Sequence, residues 1–188
     1  KLVYGPGAVI PAANSQTSLP PTPAVARIDD FERADGRTSV DTLRVEDFDR
    51  GSARSTEVSQ VVTRGAGDHA LLVTASFATK SDPYAGVGLP LNRGSLQPAD
   101  AQAFQGVTLD VRGAEGSVLV AVTTLSGRWT AKVPVGEGWK TVKVAFADLK
   151  PEGARGAWRG DDLLEVGVVA GGAAGRATWM EVDNVGFY

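Results

Sequence analysis

Five carboxylates stand in two short stretches near opposite ends of the chain. Asp29, Asp30 and Glu32 fall within "IDDFER", and Glu181 and Asp183 within "MEVDNVGFY". Grouped carboxylates can do three kinds of work. They can cleave a glycosidic bond as acid and nucleophile. They can hold a hard cation such as Ca²⁺ together with backbone oxygens. They can also pair with arginines on a solvated edge. The glycosidase reading is the weakest of the three, because these acids lie near strand ends with no obvious aromatic cleft around them. Crowded carboxylates raise each other's pKa, so something positive must offset them. Arg27, Arg33 and Arg176 are candidates, and so is a cation.

The spacing of nearby apolar residues carries geometry as well. Ile28 and Phe31 are three apart, as are Val182 and Val185. Residues at that spacing cannot share one face of a regular strand. If each pair is buried together, both strands hold an extra residue, as a β-bulge does. The expectation is a last strand that bulges where it meets the first, with Asp183 turned toward Glu32.

Other chemistry is poorly supplied. His69 is the single histidine and there is no cysteine. That excludes disulfides, Cys-based zinc sites and Cys nucleophiles. A catalytic triad needs an oriented base set against a nucleophile, whereas "GAGDHALLV" reads as a loop entering a strand. The glycine-rich "VVAGGAAGR" lacks the spacing of a dinucleotide fingerprint, and a strand follows it. Aromatic residues are more informative. Trp129, Trp158 and Tyr84 fall at loop edges, where exposed rings can stack on sugars. Trp139 and Trp179 begin alternating strands and are expected in the core.

The elements that must position these residues are strands. Leu71, Val73, Ala75 and Phe77 alternate, as do Val87, Leu89 and Leu91, and Val107, Leu109 and Val111. Trp129, Ala131, Val133 and Val135 alternate too, and "SVLVAVTTL" is apolar on both faces, which suits a central strand. About ten short strands punctuated by Gly, Pro, Asn and Asp indicate an antiparallel all-β sandwich or barrel. The 188 residues suffice for one domain with a real core. "KLVYGPG" (residues 1–7) reads as a residual strand of an upstream domain, and residues 8–24, rich in Pro, Ser and Ala, as a linker. Residues 25–188 form the globular part. The chain opens on Lys1 and is expected to be a mature product or a fragment. A net charge of −3 argues against a nucleic-acid surface. No apolar run approaches membrane-spanning length.

In order and spacing, "IDDFER", "GSARSTEVS", "YAGVGLPL", "FQGVTLDVRG", "GWKTVKVAFADL" and "MEVDNVGFY" resemble the complex-I intermediate-associated domain family. That family is a galactose-binding-like jelly roll, similar to several carbohydrate-binding modules. The resemblance covers residues 25–188 and implies an antiparallel jelly-roll β-sandwich without catalytic machinery. Related sugar-binding jelly rolls often hold a structural Ca²⁺ near the first and last strands, where Glu32 and Asp183 stand in this chain. The family usually has an aromatic residue before "EDFDRGSARS"; here the segment is "DTLRV". "KLVYGPG" is similar to a strand that closes the small β-domain of metal-dependent amidohydrolases, some of which carry such a jelly roll at the C-terminus. The resemblance therefore implies a non-catalytic accessory module of a bacterial amidohydrolase-like protein. It would bind a glycan through Trp129, Trp158 or Tyr84, in a periplasmic or extracellular setting. The alternative is an interaction module that docks on its own catalytic domain or an assembly partner.

Overall fold

The structure, a computed structural model, describes residues 19–188; the strand and most of the linker expected before them lie outside the described residues. In chain order the strands are β1 (Thr22–Pro23), β2 (Arg27–Asp29), β3 (Val45–Phe48), β4 (Thr56–Gly65), β5 (Asp68–Ser76), β6 (Tyr84–Pro90) and β7 (Ala99–Asp100). They continue with β8 (Gly106–Gly113), β9 (Gly116–Thr124), β10 (Gly127–Val135), β11 (Lys140–Ala145), β12 (Lys150–Glu152), β13 (Leu163–Gly171) and β14 (Ala177–Phe187). Helical structure among the described residues is limited to two 3₁₀ turns, Arg93–Ser95 and Phe146–Asp148. No described helix is long and apolar enough to cross a membrane.

The strands make two sheets that pack face to face, a jelly-roll sandwich. The first sheet runs β3-β6-β13-β9-β10-β12, with β7 joined to the start of β13 and β1 joined in parallel to β7. The second runs β11-β8-β14-β5-β4, with β2 on the far end of β14. Among the described residues, strand pairing starts at Thr22, slightly before Val25. The alternating apolar residues fill the space between the sheets. Leu71, Val73 and Ala75 of β5 meet Val87 and Leu89 of β6, Val118, Val120 and Val122 of β9, and Val166 and Val168 of β13. The central position expected for "SVLVAVTTL" holds, since β9 pairs with both β10 and β13. Two-residue turns join long hairpins, as between β4 and β5, where Gly67 takes a φ of +73° that side chains disfavour.

The bulge between the ends is present. β14 pairs with β2 through Val185 and Asp29, and its register against β8 shifts between Asp183 and Gly186. Asn184 at that shift has a φ of +50°, and Phe31 has one of +55°. The extra residues let Ile28, Phe31, Val182 and Val185 all turn into the core.

The tryptophans reverse the expectation. Trp129, expected at an exposed loop edge, is 7% exposed and sits in the core. Trp158 packs on it edge-to-face at 5.7 Å and on Phe146 at 4.9 Å. Trp139 and Trp179, expected inside, are half-buried on the outer face of the second sheet. Alternation tells which residues share a face but not which face meets the other sheet.

Candidate functional site

Four of the five terminal carboxylates meet arginines, and Glu32 meets His69. Asp29 is buried and accepts hydrogen bonds from Arg44 Nε at 2.6 Å and Nη2 at 3.2 Å, and from the Phe31 backbone N–H. Asp30 accepts from Arg27 at 2.6 Å. On the outer face of the second sheet, Glu181 takes both prongs of Arg112, and Asp183 and Asp110 share Arg64 Nη1 at 2.5 and 2.8 Å. Burial pushes the Asp183 pKa up, against the pull of Arg64. Arg27 was an expected partner; Arg44, Arg64 and Arg112 lie far along the sequence from the acids they meet.

Glu32 and Asp183 do not fit a shared calcium site. Glu32 accepts from the His69 backbone N–H at 2.6 Å and lies 2.7 Å from His69 Nδ1. Asp183 Oδ1 accepts from the Asn184 backbone N–H at 2.6 Å, and Oδ2 is held by Arg64. A cation at either carboxylate would have to displace these partners. Among the described residues no three His, Asp or Glu side chains gather to hold an ion.

A different set of groups converges on the outer face of the first sheet. Tyr84, Gly86 and Gly88 of β6 point there, as do Glu165, Gly167 and Val169 of β13, Leu119 and Ala121 of β9, and Arg128 of β10. Four strand spacings separate β3 from β10 in the sheet order, roughly 19 Å if the sheet were flat. Yet Arg128 Nη1 donates to Asp47 Oδ1 at 3.1 Å, and Nη2 lies 3.0 Å from Oδ2. The sheet must therefore curl toward this side, as coiled, twisted sheets do. The glycines make the floor deep. A Cβ on Gly88 would fall 2.5 Å from Glu165 Oε1, and one on Gly167 would fall 3.3 Å from Asp47 Oδ2. The carboxylates occupy the space that side chains would take.

Arg128 ties the groove together. Its guanidinium stands 5.1 Å from the Tyr84 ring centre and its Nε 3.3 Å from Glu152 Oε2. Burial works against its charge, but Asp47 more than offsets this and raises its pKa. Glu165 is pushed up to about 6, first by burial and then by Asp47. Burial and Asp47 also raise the Tyr84 phenol. Beside this cluster, Tyr84, Leu119, Lys132 and Glu152 line a cleft of about 550 Å³. Another cavity of about 420 Å³, beside Pro23, Val25 and Phe187, is chiefly apolar, and its Asp41 is committed to Arg33 and Arg93.

The wall behind Tyr84 is braced by Asp49, which is 3% exposed. Its Oδ1 accepts from the Ser55 backbone N–H at 3.0 Å and lies 2.7 Å from Lys80 Nζ. Its Oδ2 accepts from the Ser55 hydroxyl at 2.5 Å and the Tyr84 backbone N–H at 3.1 Å. Burial alone would raise the Asp49 pKa, but these four donors hold it down to about 2.

Of the three aromatics expected to face a ligand, Tyr84 lines this groove, while Trp129 and Trp158 pack against each other and into the core. Asp47, Arg128 and Glu165 carried no local motif. The alternate glycines of "YAGVGLP" were the available signal, because glycine within a strand marks a close approach.

No family model and no curated protein matches the chain. Solved structures do resemble it. A family 11 carbohydrate-binding module of a cellulosomal cellulase of Clostridium thermocellum superposes with a TM-score of 0.61 at 18% identity, covering 86% of this chain and 92% of that one. A family 11 module from the same organism, in complex with a β-1,3-1,4-mixed-linked tetrasaccharide, gives 0.62 at 16% identity over 88% and 96%. A family 30 carbohydrate-binding module gives 0.52 at 14% identity over 78% and 98%. The fold is therefore a jelly-roll β-sandwich of the kind these carbohydrate-binding modules have. No family model supports the resemblance to the complex-I intermediate-associated domain, and these structures do not bear on an amidohydrolase parent.

Proposed function

We propose that the chain is a non-catalytic carbohydrate-binding module whose ligand lies in the groove of the first sheet. The carrying observation is the convergence of Tyr84, Asp47, Arg128 and Glu165 over a floor of Gly86, Gly88 and Gly167. A sugar chain offers hydroxyls for fixed, oriented polar groups and apolar C–H faces for a phenol ring. The curled face supplies both, and ordering the groups in advance through Arg128 lowers the entropic cost of binding. The tetrasaccharide complex of the family 11 module supports the reading through the shared fold. Catalysis has little to work with. Both oxygens of Asp47 are bound by Arg128, so the groove lacks a free nucleophilic carboxylate opposite Glu165. Such a module suits an extracellular or periplasmic protein. Attachment to an amidohydrolase-like enzyme is a proposal that rests on "KLVYGPG" alone.

Affinity electrophoresis and calorimetry against soluble β-glucans, galactans and amino-sugar polymers test this. Binding should be lost in Tyr84→Ala and kept in Trp158→Phe. If no polysaccharide binds at millimolar sugar, the proposal fails.

A further inference from the structure

Accepting that the groove holds a glycan, we propose that it prefers one carrying free amino groups, and that Glu165 recognises the ammonium. The argument is a count of charge within the groove. Arg128 meets Asp47 on one side and Glu152 on the other, so its single positive charge serves two carboxylates. Glu165 is a third. Among the described residues it has neither an ion-pair nor a hydrogen-bond partner, and its half-buried carboxylate lies over Gly88. Its surroundings offer little else. Val45 and Asp47 face it from β3, Gly88 from β6, Thr123 from β9 and Arg128 from β10. Lys132 adds a positive charge at the cleft beside Tyr84 and Glu152, and Lys150 stands exposed next to it on β12, but neither pairs with Glu165.

The surplus of acid is visible in neighbouring groups. Glu57 on β4, at the same side of the sandwich, is pushed up to about 7 by burial, Glu46 and Asp47. A groove with this balance repels uronic acids. A neutral sugar would leave Glu165 a half-buried charge without a counter-charge. An ammonium of a hexosamine would neutralise it and form a charge-assisted hydrogen bond, stronger than a neutral one. On the second sheet each acid at least has an arginine within reach, Glu181 holding Arg112 and Asp183 sharing Arg64 with Asp110 and Asp68, whereas Glu165 has none.

The sign of the pH dependence follows. Glu165 ionises with a pKa of about 6, so it is almost fully charged at pH 7 and about one-tenth charged at pH 5. The sugar ammonium itself loses its proton near neutrality, so affinity for an amino glycan should be greatest between pH 6 and pH 7 and fall toward pH 5 as Glu165 is protonated. A neutral glycan of the same linkage should show no such fall.

The test is calorimetry at low salt with four probes: a β-1,4-glucosamine oligomer, its N-acetylated form, the matching glucose oligomer and a uronic-acid oligomer. The expected result is about tenfold or greater preference for the glucosamine oligomer between pH 6 and pH 7, where both charges are present. Glu165→Gln should abolish that preference and its pH dependence, bringing the affinity for the glucosamine oligomer down to that for the glucose oligomer. Equal binding of the glucosamine and glucose oligomers overturns the inference and leaves the glycan reading standing. Preference for the uronic acid also overturns it. Failure of all four probes and of the wider polysaccharide panel sinks the glycan reading itself.

Discussion

Replacing Asp49 with asparagine separates charge from shape at the wall of the groove. Four donors surround the carboxylate, two of them backbone N–H groups on opposite oxygens, from Ser55 and Tyr84. An asparagine side chain has one oxygen, so either orientation turns its NH₂ toward a backbone N–H. The Ser55 hydroxyl can rotate to accept, but the backbone cannot. Leaving one such donor unsatisfied in a buried site costs about 1–3 kcal/mol. The charge is worth a similar amount. A folded pKa of about 2 against the ordinary 3.8 corresponds to roughly 2–3 kcal/mol, at 1.36 kcal/mol for each unit. Because the folded value is depressed, that stability is full above the unfolded pKa and is lost as pH falls toward 2. Linkage puts the loss at about 1 kcal/mol by pH 3. Urea denaturation of both proteins at pH 7 and pH 3 reads this out. The variant should be about 2–4 kcal/mol less stable at pH 7, and the gap should narrow by about 1 kcal/mol at pH 3. A gap equal at the two pH values, or one under about 0.5 kcal/mol at pH 7, would refute the charge-and-donor account of this wall.

Three further outcomes are expected. Gly86→Ala should unfold or strongly destabilise the protein, by about 3 kcal/mol or more, because the new Cβ meets the Val168 carbonyl oxygen at 2.2 Å. Gly88→Ala should cost under about 1 kcal/mol, since its contacts at 2.5–2.8 Å are ends of the Glu165 and Val45 side chains, yet it should weaken glycan binding by displacing Glu165; thermal melts and calorimetry on both variants decide. Arg128→Lys should keep the positive charge but lose the two-pronged hold on Asp47, so binding should fall at least tenfold with a stability loss of about 1–3 kcal/mol, and retained affinity would show that the bridge does not organise the groove. The melting temperature should be the same in EDTA and in millimolar Ca²⁺, because Glu32 and Asp183 are held by His69 and Arg64; a rise of several degrees with Ca²⁺ would show a site that these partners yield to.

Much of the fold could be read from local pattern because a half-buried strand writes its face into alternate residues. Leu71, Val73, Ala75 and Phe77 are all in the core, and so are Val87, Leu89 and Leu91. Even the irregular end was readable, since the three-residue spacing of Ile28 and Phe31, and of Val182 and Val185, has no regular-strand solution. The tryptophans were misplaced because parity does not say which side the second sheet covers. Trp129 shares its face with Val133 and Val135 and lies inside, while Trp179 shares its face with Glu181, whose arginine partner needs the surface. The groove was the least readable part. Asp47, Arg128 and Glu165 come from β3, β10 and β13, which meet only through the order β3-β6-β13-β9-β10. Strand order is set by long-range pairing, which short-range pattern does not record.

The two outer faces of the sandwich show why one of them is open to a ligand. On the second sheet every named acid has a cation, and the aromatic rings are spent on the same cations: Arg64 stands 4.1 Å from the Trp139 ring centre, and Arg112 reaches both Trp139 and Trp179. Those contacts knit β4, β8 and β14 to the segment around Trp139 and favour a closed, stable surface. On the first sheet the balance is different. One arginine serves Asp47, Glu152 and the Tyr84 ring, the floor is glycine, and Glu165 is left unpaired. An unpaired, half-buried carboxylate lowers the stability of the free protein. A ligand that supplies the missing counter-charge recovers that stability on binding, and the groove thereby discriminates among sugars by charge rather than by shape alone.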